Sequence, residues 1–332
     1  MAGSTILSLL IGLSVAAVLI GMNDPGHVVQ LLLAAGWWMP LIVALYLMQV
    51  AASAFGWAPL IVDERRPSAL RLISMRWIRN AVNTLLPVVQ AAGELVRAQL
   101  LARQGVAKRR VVASIAADLG SEMVSQILFS LLGLAVLLSI PHEQGNATVH
   151  WAMLGTALGA GIAALFVAAQ YLGLFRLIER FLPKLAQRLG WTSLADLSGL
   201  HEAVVSLYRQ PSRLWRSGSW HFLSWLIGVL ESWATLHALG IEASLAEALV
   251  IESLGQAIRS AGFFVPAALG IHEGGYVLIC ALFGIPPDQA IALALVRRLR
   301  DILAGLPGLF AWRWSIAAGQ DKPAVEGLPR SQ

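Results

Sequence analysis

Nine ionisable residues lie in stretches that otherwise read as apolar: Glu94, Arg97, Asp118, Glu122, Glu273, Arg297, Arg298, Arg300 and Asp301. One ionised side chain at the centre of a bilayer costs about 2.5–3.5 kcal/mol even on the mildest scale. Nine without partners would cost about 20 kcal/mol or more, above the net stability of a typical domain. They must pair with one another, line water, or both. Arginines suit a phosphate or another anion. The carboxylates suit a cation, a proton or hydroxyl groups. Together they describe a charged central pocket that shelters the headgroup of an amphipath while its tails stay in lipid. The plainer alternative is that these charges only lock helices together.

Helix breakers flank the charges in two matching sets. Asn83 and Pro87 precede Glu94, Gly105 and Glu122, and Pro266 and Gly270 precede Glu273, Gly284 and Asp301. The partners stand 179 positions apart (266 − 87, 273 − 94, 284 − 105 and 301 − 122). Ala102/Ala281 and Ala113/Ala292 match at the same offset. Breakers and carboxylates that coincide in this way predict an internal repeat. Under that repeat Asp118 falls opposite Arg297, which predicts an ion pair between them near the centre, and Glu122 falls opposite Asp301. Glu94 and Arg97, three apart, share a helix face. Arg79 and Arg259, which falls opposite Asn80, are candidates for gating the two mouths.

The elements that must hold these residues are membrane helices. Of 332 residues, 57% are hydrophobic and 13% charged, against about 25% charged in a soluble domain. Mean hydropathy is +0.69. A globule of this length cannot hide so much apolar surface, so the chain reads as an integral membrane protein. The net charge of +5 could suggest nucleic acid. The basic residues, however, form short runs between apolar segments, as the positive-inside rule requires, so no nucleic-acid partner is expected.

Apolar runs predict six crossings, at 6–22, 37–62, 111–140, 151–172, 220–239 and 289–318. The first is read as a retained helix, not a cleaved signal, and 23–36 is expected to be a loop. Segments 69–106 and 259–283 carry charges and are broken by Pro87 and Pro266. Each is expected to form a re-entrant hairpin, which survives at membrane depth only where protein or water covers it. Segment 173–217 suits a basic amphipathic helix on the membrane face, and 319–332 a disordered tail. Lys and Arg concentrate in 63–110 and 173–217 and are absent from 23–36, 141–150 and 240–250. That asymmetry puts both termini in the cytoplasm. The fold expected is an all-α polytopic bundle, one transmembrane domain over 1–318. Its inverted repeats, about 37–140 and 216–318, each hold a re-entrant broken helix pair and are joined by 151–215. Transporters are often built so.

Signals for other chemistry are weak. The lone Cys280 reads as a small buried residue, and no cysteine–histidine ligand set accompanies it, so neither metal nor cofactor is expected. His272-Glu273-Gly274-Gly275-Tyr276 begins like a zinc-protease motif but ends in tyrosine where a second histidine is needed. No nucleophile constellation, Walker lysine or glycine-rich phosphate loop is present.

Arg79-Asn80-x-x-Asn83-x-x-Leu86-Pro87 followed by Gly93-Glu94-x-x-Arg97 resembles the membrane, or flippase, domain of lysylphosphatidylglycerol synthases. Within that family it resembles the stand-alone, hopanoid-associated HpnL-like branch. Pro266-x-x-Leu269-Gly270-x-x-Glu273 with Gly284 is similar to the family's second signature, and the likeness covers about 40–318. It implies a multi-pass protein of the bacterial inner (plasma) membrane that moves phospholipid or hopanoid between leaflets or to another membrane. Membrane lipids are the partners implied, with proteins of lipid biosynthesis or transport beside them. By the resemblance Asn83, Pro87, Glu94, Arg97, Pro266, Gly270 and Glu273 are motif positions. Ala92 stands where the family has the first glycine of Gly-Gly-Glu. The full synthases carry a soluble domain that transfers lysine from aminoacyl-tRNA. Only 14 residues follow Ala318, so that transfer is not expected here. The reading is lipid translocation without catalysis. The alternatives are an intramembrane lipid-modifying enzyme using Glu94 and Glu273 as paired carboxylates, and a non-catalytic scaffold of a lipid-biosynthesis complex.

Overall fold

The computed structural model describes residues 25–86, 92–140, 199–261 and 271–320, and every regular element among them is helical. The spans expected at 6–22 and 151–172, the breaks at Pro87, Pro266 and Gly270, and all of the tail expected at 319–332 except residues 319–320, which end a helix, lie outside the described residues.

Helix α1 (Pro25–Ala34) starts with proline, whose missing N–H has no partner to lose at a helix start. It continues through a 3-10 turn (Ala35–Trp38) into α2 (Met39–Trp57). The loop expected at 23–36 is therefore largely helix. From Val28 to Ala35 only Gln30 is polar, and nothing in that run stops a helix. Gln30–Leu60 forms a 31-residue helical stretch, about 46 Å long against a hydrocarbon core of about 30 Å.

The chain continues through α3 (Ala69–Leu85), α4 (Ala92–Ala102), α5 (Lys108–Ser139), α6 (Leu200–Tyr208), α7 (Pro211–Ala238), α8 (Leu245–Ala261), α9 (Ile271–Cys280) and α10 (Pro287–Gln320). Helix α5 is the second stretch both long and apolar enough to span a bilayer. Helices α7 and α10 are comparably long but carry ionic side chains that are buried inside. The outward faces are apolar: Leu128, Leu131 and Leu138 on α5, and Ile302, Leu306 and Phe310 on α10, are all exposed. Exposed apolar patches of this kind mark a contact with a membrane or with protein.

A common offset relates the elements. Lys108 and Pro287 open α5 and α10, and Ala92 and Ile271 open α4 and α9; both pairs stand 179 apart (287 − 108 and 271 − 92). Gly105 and Gly284 turn the chain into the long helices at φ 89° and 68°, values that glycine adopts without strain. Packing corresponds as well, with α3 on α10 and α8 on α5. Trp77 Nε1 donates to the Ala304 carbonyl at 2.7 Å, and Gln126 Nε2 donates to that of Gln256 at 3.3 Å. Helices α2 and α7 pack against each other and run antiparallel: Phe55 meets Trp220, Ser53 meets His221, and Gln49 meets Ser224.

Two apolar cores result. One joins the end of α2 to α3, α4, the start of α5 and α6, around Trp57, Leu72 and Leu101. The other joins the start of α2 and the end of α7 to α8, α9 and α10, around Ile42, Leu236 and Ile251. The residues that carry the amphipathic pattern expected on the membrane face, 174–189, lie outside the described residues; helix α6, later in the same segment, packs on α5. Leu200, Val204 and Leu207 explain this: spaced on one helical face, they are buried in the first core.

Candidate functional site

The charges gather into two clusters, one beside each core. In the first, Asp118 on α5 is fully buried and central. Its Oδ2 accepts from Arg76 of α3 at 2.9 Å and from Arg97 of α4 at 2.5 Å, and its Oδ1 meets His221 Nε2 of α7 at 2.8 Å. Glu122, one turn on, takes the other Arg76 nitrogen at 2.7 Å and lies 3.7 Å from Arg79. Glu94 lies between Arg79 at 2.5 Å and Arg97 at 2.6 Å. The Arg97 guanidinium also stacks 4.5 Å over the Trp57 ring, whose Nε1 donates to Ser114 Oγ.

Local sequence sets this up. Arg76 and Arg79 share the face of α3 that meets α4 and α5, because residues three apart are neighbours on a helix. Asn83 Oδ1 accepts the Gly93 N–H at 2.8 Å and clamps α3 to α4. Gly93 must lack a side chain, since a Cβ would collide with the Arg79 carbonyl and the Asn83 amide. Gly56 leaves room for the His221 ring, which a Cβ there would approach at 2.8 Å. Without that space His221 could not reach Asp118.

In the second cluster the centre is a cation. Arg297 of α10 pairs with Glu252 of α8, donates to Tyr276 Oη of α9 at 2.7 Å and to Ser232 Oγ of α7 at 2.5 Å. Glu252 also accepts from Ser232 at 2.5 Å and from Gln256 at 2.8 Å. Arg300 pairs with Glu231 at 3.1 Å and Asp301 at 3.2 Å, and lies 4.3 Å over the Tyr46 ring. Arg298 pairs with Glu273 at 2.5 Å. Glu231 Oε1 is buried with no hydrogen-bond partner among the described residues.

The expected Asp118–Arg297 pair does not form. Asp118 is satisfied by α3, α4 and α7, and Arg297 by α7, α8 and α9, so each finds nearer partners on the helices it packs against. Arg79 is engaged by two carboxylates. Arg259 lies on α8, and its side chain is outside the described residues. Of the remaining sequence candidates, Asn83, Glu94, Arg97, Asp118 and Glu122 belong to the first assembly. Glu273, Arg297, Arg298, Arg300 and Asp301 belong to the second. Arg76, His221, Glu231 and Glu252 complete the clusters and were not among those candidates. Glu231 inside an apolar run was a usable signal, and so was Arg76 three residues before Arg79.

Most members of both clusters are sealed. Arg79, Glu94 and Glu122 retain 14–18% exposure, and Arg298 and Asp301 retain 24% and 15%. These rims are where an outside group can compete for a partner. The 3.7 Å Arg79–Glu122 contact is the longest of the ion pairs among the described residues and the least costly to exchange.

Residues 5–308 match the family model described as the lysylphosphatidylglycerol synthase TM region. No curated protein and no solved structure matches the chain.

Proposed function

Because the chain belongs to the lysylphosphatidylglycerol synthase transmembrane-region family, we propose that it is a flippase-like lipid translocator of the bacterial inner membrane. The headgroup of a phospholipid or hopanoid passes through the charged centre while the tails stay in the bilayer. The observation that carries this reading is the pair of ionic clusters, built on equivalent helices and bridged by α2 and α7. Buried charge in an apolar bundle is costly and marks the paths of polar cargo.

In this reading the halves are inverted repeats. The common offset and the antiparallel course of α2 and α7 support it, and proteins built so hold cargo near the midplane. The α3–α4 and α8–α9 pairs are the re-entrant elements, entering from opposite faces, and both termini are cytoplasmic. Glu94 and Glu273 contact the headgroup or a coupling ion. The cargo lipids are the partners, joined by proteins of lipid biosynthesis or transport. No catalytic step is assigned.

The test is a leaflet assay in liposomes containing labelled phospholipid or a hopanoid analogue, with wild type beside E94Q/E273Q. Transfer by wild type that disappears in the double variant is expected. No transfer of any lipid by folded wild-type protein contradicts the reading.

One contact favours a second reading, an intramembrane enzyme. With Asp118 accepting from His221 Nε2, His221 Nδ1 faces Ser53 Oγ at 3.4 Å, the order of groups that activates a serine. Two guanidiniums on the same carboxylate weaken its support of the imidazole. A lipid-modifying activity abolished by S53A, with leaflet transfer intact, is what that reading requires.

A further inference from the structure

Where α2 ends and α7 begins lies a cavity of about 460 Å³. Its polar lining is Arg66, Arg213, Arg216 and Ser212, its apolar wall includes Phe55 and Trp220, and no carboxylate lines it among the described residues. Three cations around one hollow, with no counter-ion among the described residues, repel each other unless an anion joins them. Arg213 is braced: its Nε donates to Gln210 Oε1 at 2.6 Å and its Nη1 to the Pro59 carbonyl at 2.8 Å. Arg66 and Arg216 are exposed, and neither forms an ion pair among the described residues. The first turn of the 28-residue α7 adds its partial positive charge to the same place. Phe55 and Trp220 pack with their ring centroids 5.2 Å apart and line the cavity together. Trp215, 78% exposed on the first turns of α7, is the kind of ring that settles at the membrane–water interface.

We propose that this cavity binds the phosphate-bearing headgroup of an anionic lipid. The arginine forks take the phosphate oxygens, as guanidinium geometry favours, and the Phe55–Trp220 wall takes the glycerol and the first methylenes. Volume separates this from a free-phosphate site. The hollow falls in the range of about 300–1,000 Å³ that holds small molecules, more than a bare phosphate fills. It deepens the transport reading: the cavity loads lipid from the leaflet on the side of the basic loops. That leaflet assignment rests on the reading, and the anion recognition does not.

The experiment is calorimetric titration of the full chain in uncharged detergent with short-chain phosphatidylglycerol, phosphatidylcholine of equal chain length, and inorganic phosphate. The variants are R66Q/R216Q and R66K/R216K; Arg213 is left in place because it braces Pro59. Phosphatidylglycerol should bind, and both phosphatidylcholine and inorganic phosphate should bind at least about tenfold more weakly, the worth of a charge-assisted contact. R66Q/R216Q should lose about tenfold or more for phosphatidylglycerol, with R66K/R216K between it and wild type and all melting points alike. Equal binding of the two lipids, phosphate binding as tight as lipid, or unchanged binding by R66Q/R216Q would each overturn the proposal. The titration needs no leaflet transfer. Retained binding without transfer would overturn the transport reading alone, and transfer with R66Q/R216Q binding unchanged would overturn the cavity alone.

Discussion

On α5 the first half places an anion, Asp118, where the second half places a cation, Arg297, at the equivalent position of α10. The short helix facing each centre is exchanged to match. Arg97 of α4 pairs with Asp118, and Tyr276 of α9, at Arg97's equivalent position, accepts from Arg297. The same two positions touch in both halves, while charge has moved from one helix to the other. Helix geometry thus constrains which positions meet, and the sign of the charge at each is free so long as its neighbour answers it. The sums differ, too. Among the described residues Arg76, Arg79 and Arg97 face Glu94, Asp118 and Glu122 in the first half. In the second, Arg297, Arg298 and Arg300 face Glu231, Glu252, Glu273 and Asp301, one carboxylate more. Glu231 Oε1 is a buried oxygen of that cluster without a hydrogen bond among the described residues, as Glu94 Oε2 and Glu122 Oε2 are in the first.

Breaking an anionic centre should hurt most. D118N leaves Arg76 and Arg97 buried with one fewer counter-charge and is expected to cost about 3–5 kcal/mol, read as the largest drop in thermal midpoint in detergent. R297Q should cost less, about 1.5–3 kcal/mol, because Glu252 keeps the Ser232 and Gln256 donors. A midpoint lower for R297Q than for D118N would reverse the comparison. E231Q removes a carboxylate from the half that has one more and leaves Arg300 with Asp301; its cost should stay below about 1.5 kcal/mol, so a loss as large as that of D118N would refute the surplus.

The smallest effect concerns the loops. Asp63 accepts the Arg65 backbone N–H and pairs with Arg110 at 2.9 Å. The Arg65 N–H first, and Arg110 beside it, hold its carboxyl below the usual range. The stability it adds is therefore complete above about pH 4 and lost as pH falls through the lower folded-state value. D63N should lower the midpoint at neutral pH by less than about 1 kcal/mol in equivalent terms and flatten that acid limb. At the equivalent places stand Glu242 and Gln289, which cannot form such a pair, so E242Q should leave the midpoint unchanged.

Much of this arrangement was legible in the chain. Carboxylates and glycines at one offset fall on or beside helices that begin at that offset, while the breakers Pro87, Pro266 and Gly270 lie outside the described residues, and the nine charges in apolar stretches fall in two ionic clusters. Their pairing was not legible. Asp118 and Arg297 are equivalent by position, but equivalence says nothing of contact, and each is enclosed by its own neighbouring helices. Arg76 read as one more cation in a basic stretch, because only the packing of α3 turns it inward beside Leu72, Met75 and Ile78. His221 gave no signal at all: its reach to Asp118 depends on Gly56, on a helix 165 positions away (221 − 56). Helix α1 was missed because a short stretch lacking Lys and Arg reads as a loop when only charge and long apolar runs are weighed.

The opposition of the two halves across the bilayer is tested most directly by two single cysteines in a C280A background, E64C after α2 and E242C after α7, labelled in sealed membranes by an impermeant thiol reagent. With α2 and α7 antiparallel, the account expects E242C to react from outside and E64C only from inside. Labelling of both from the same side would contradict it.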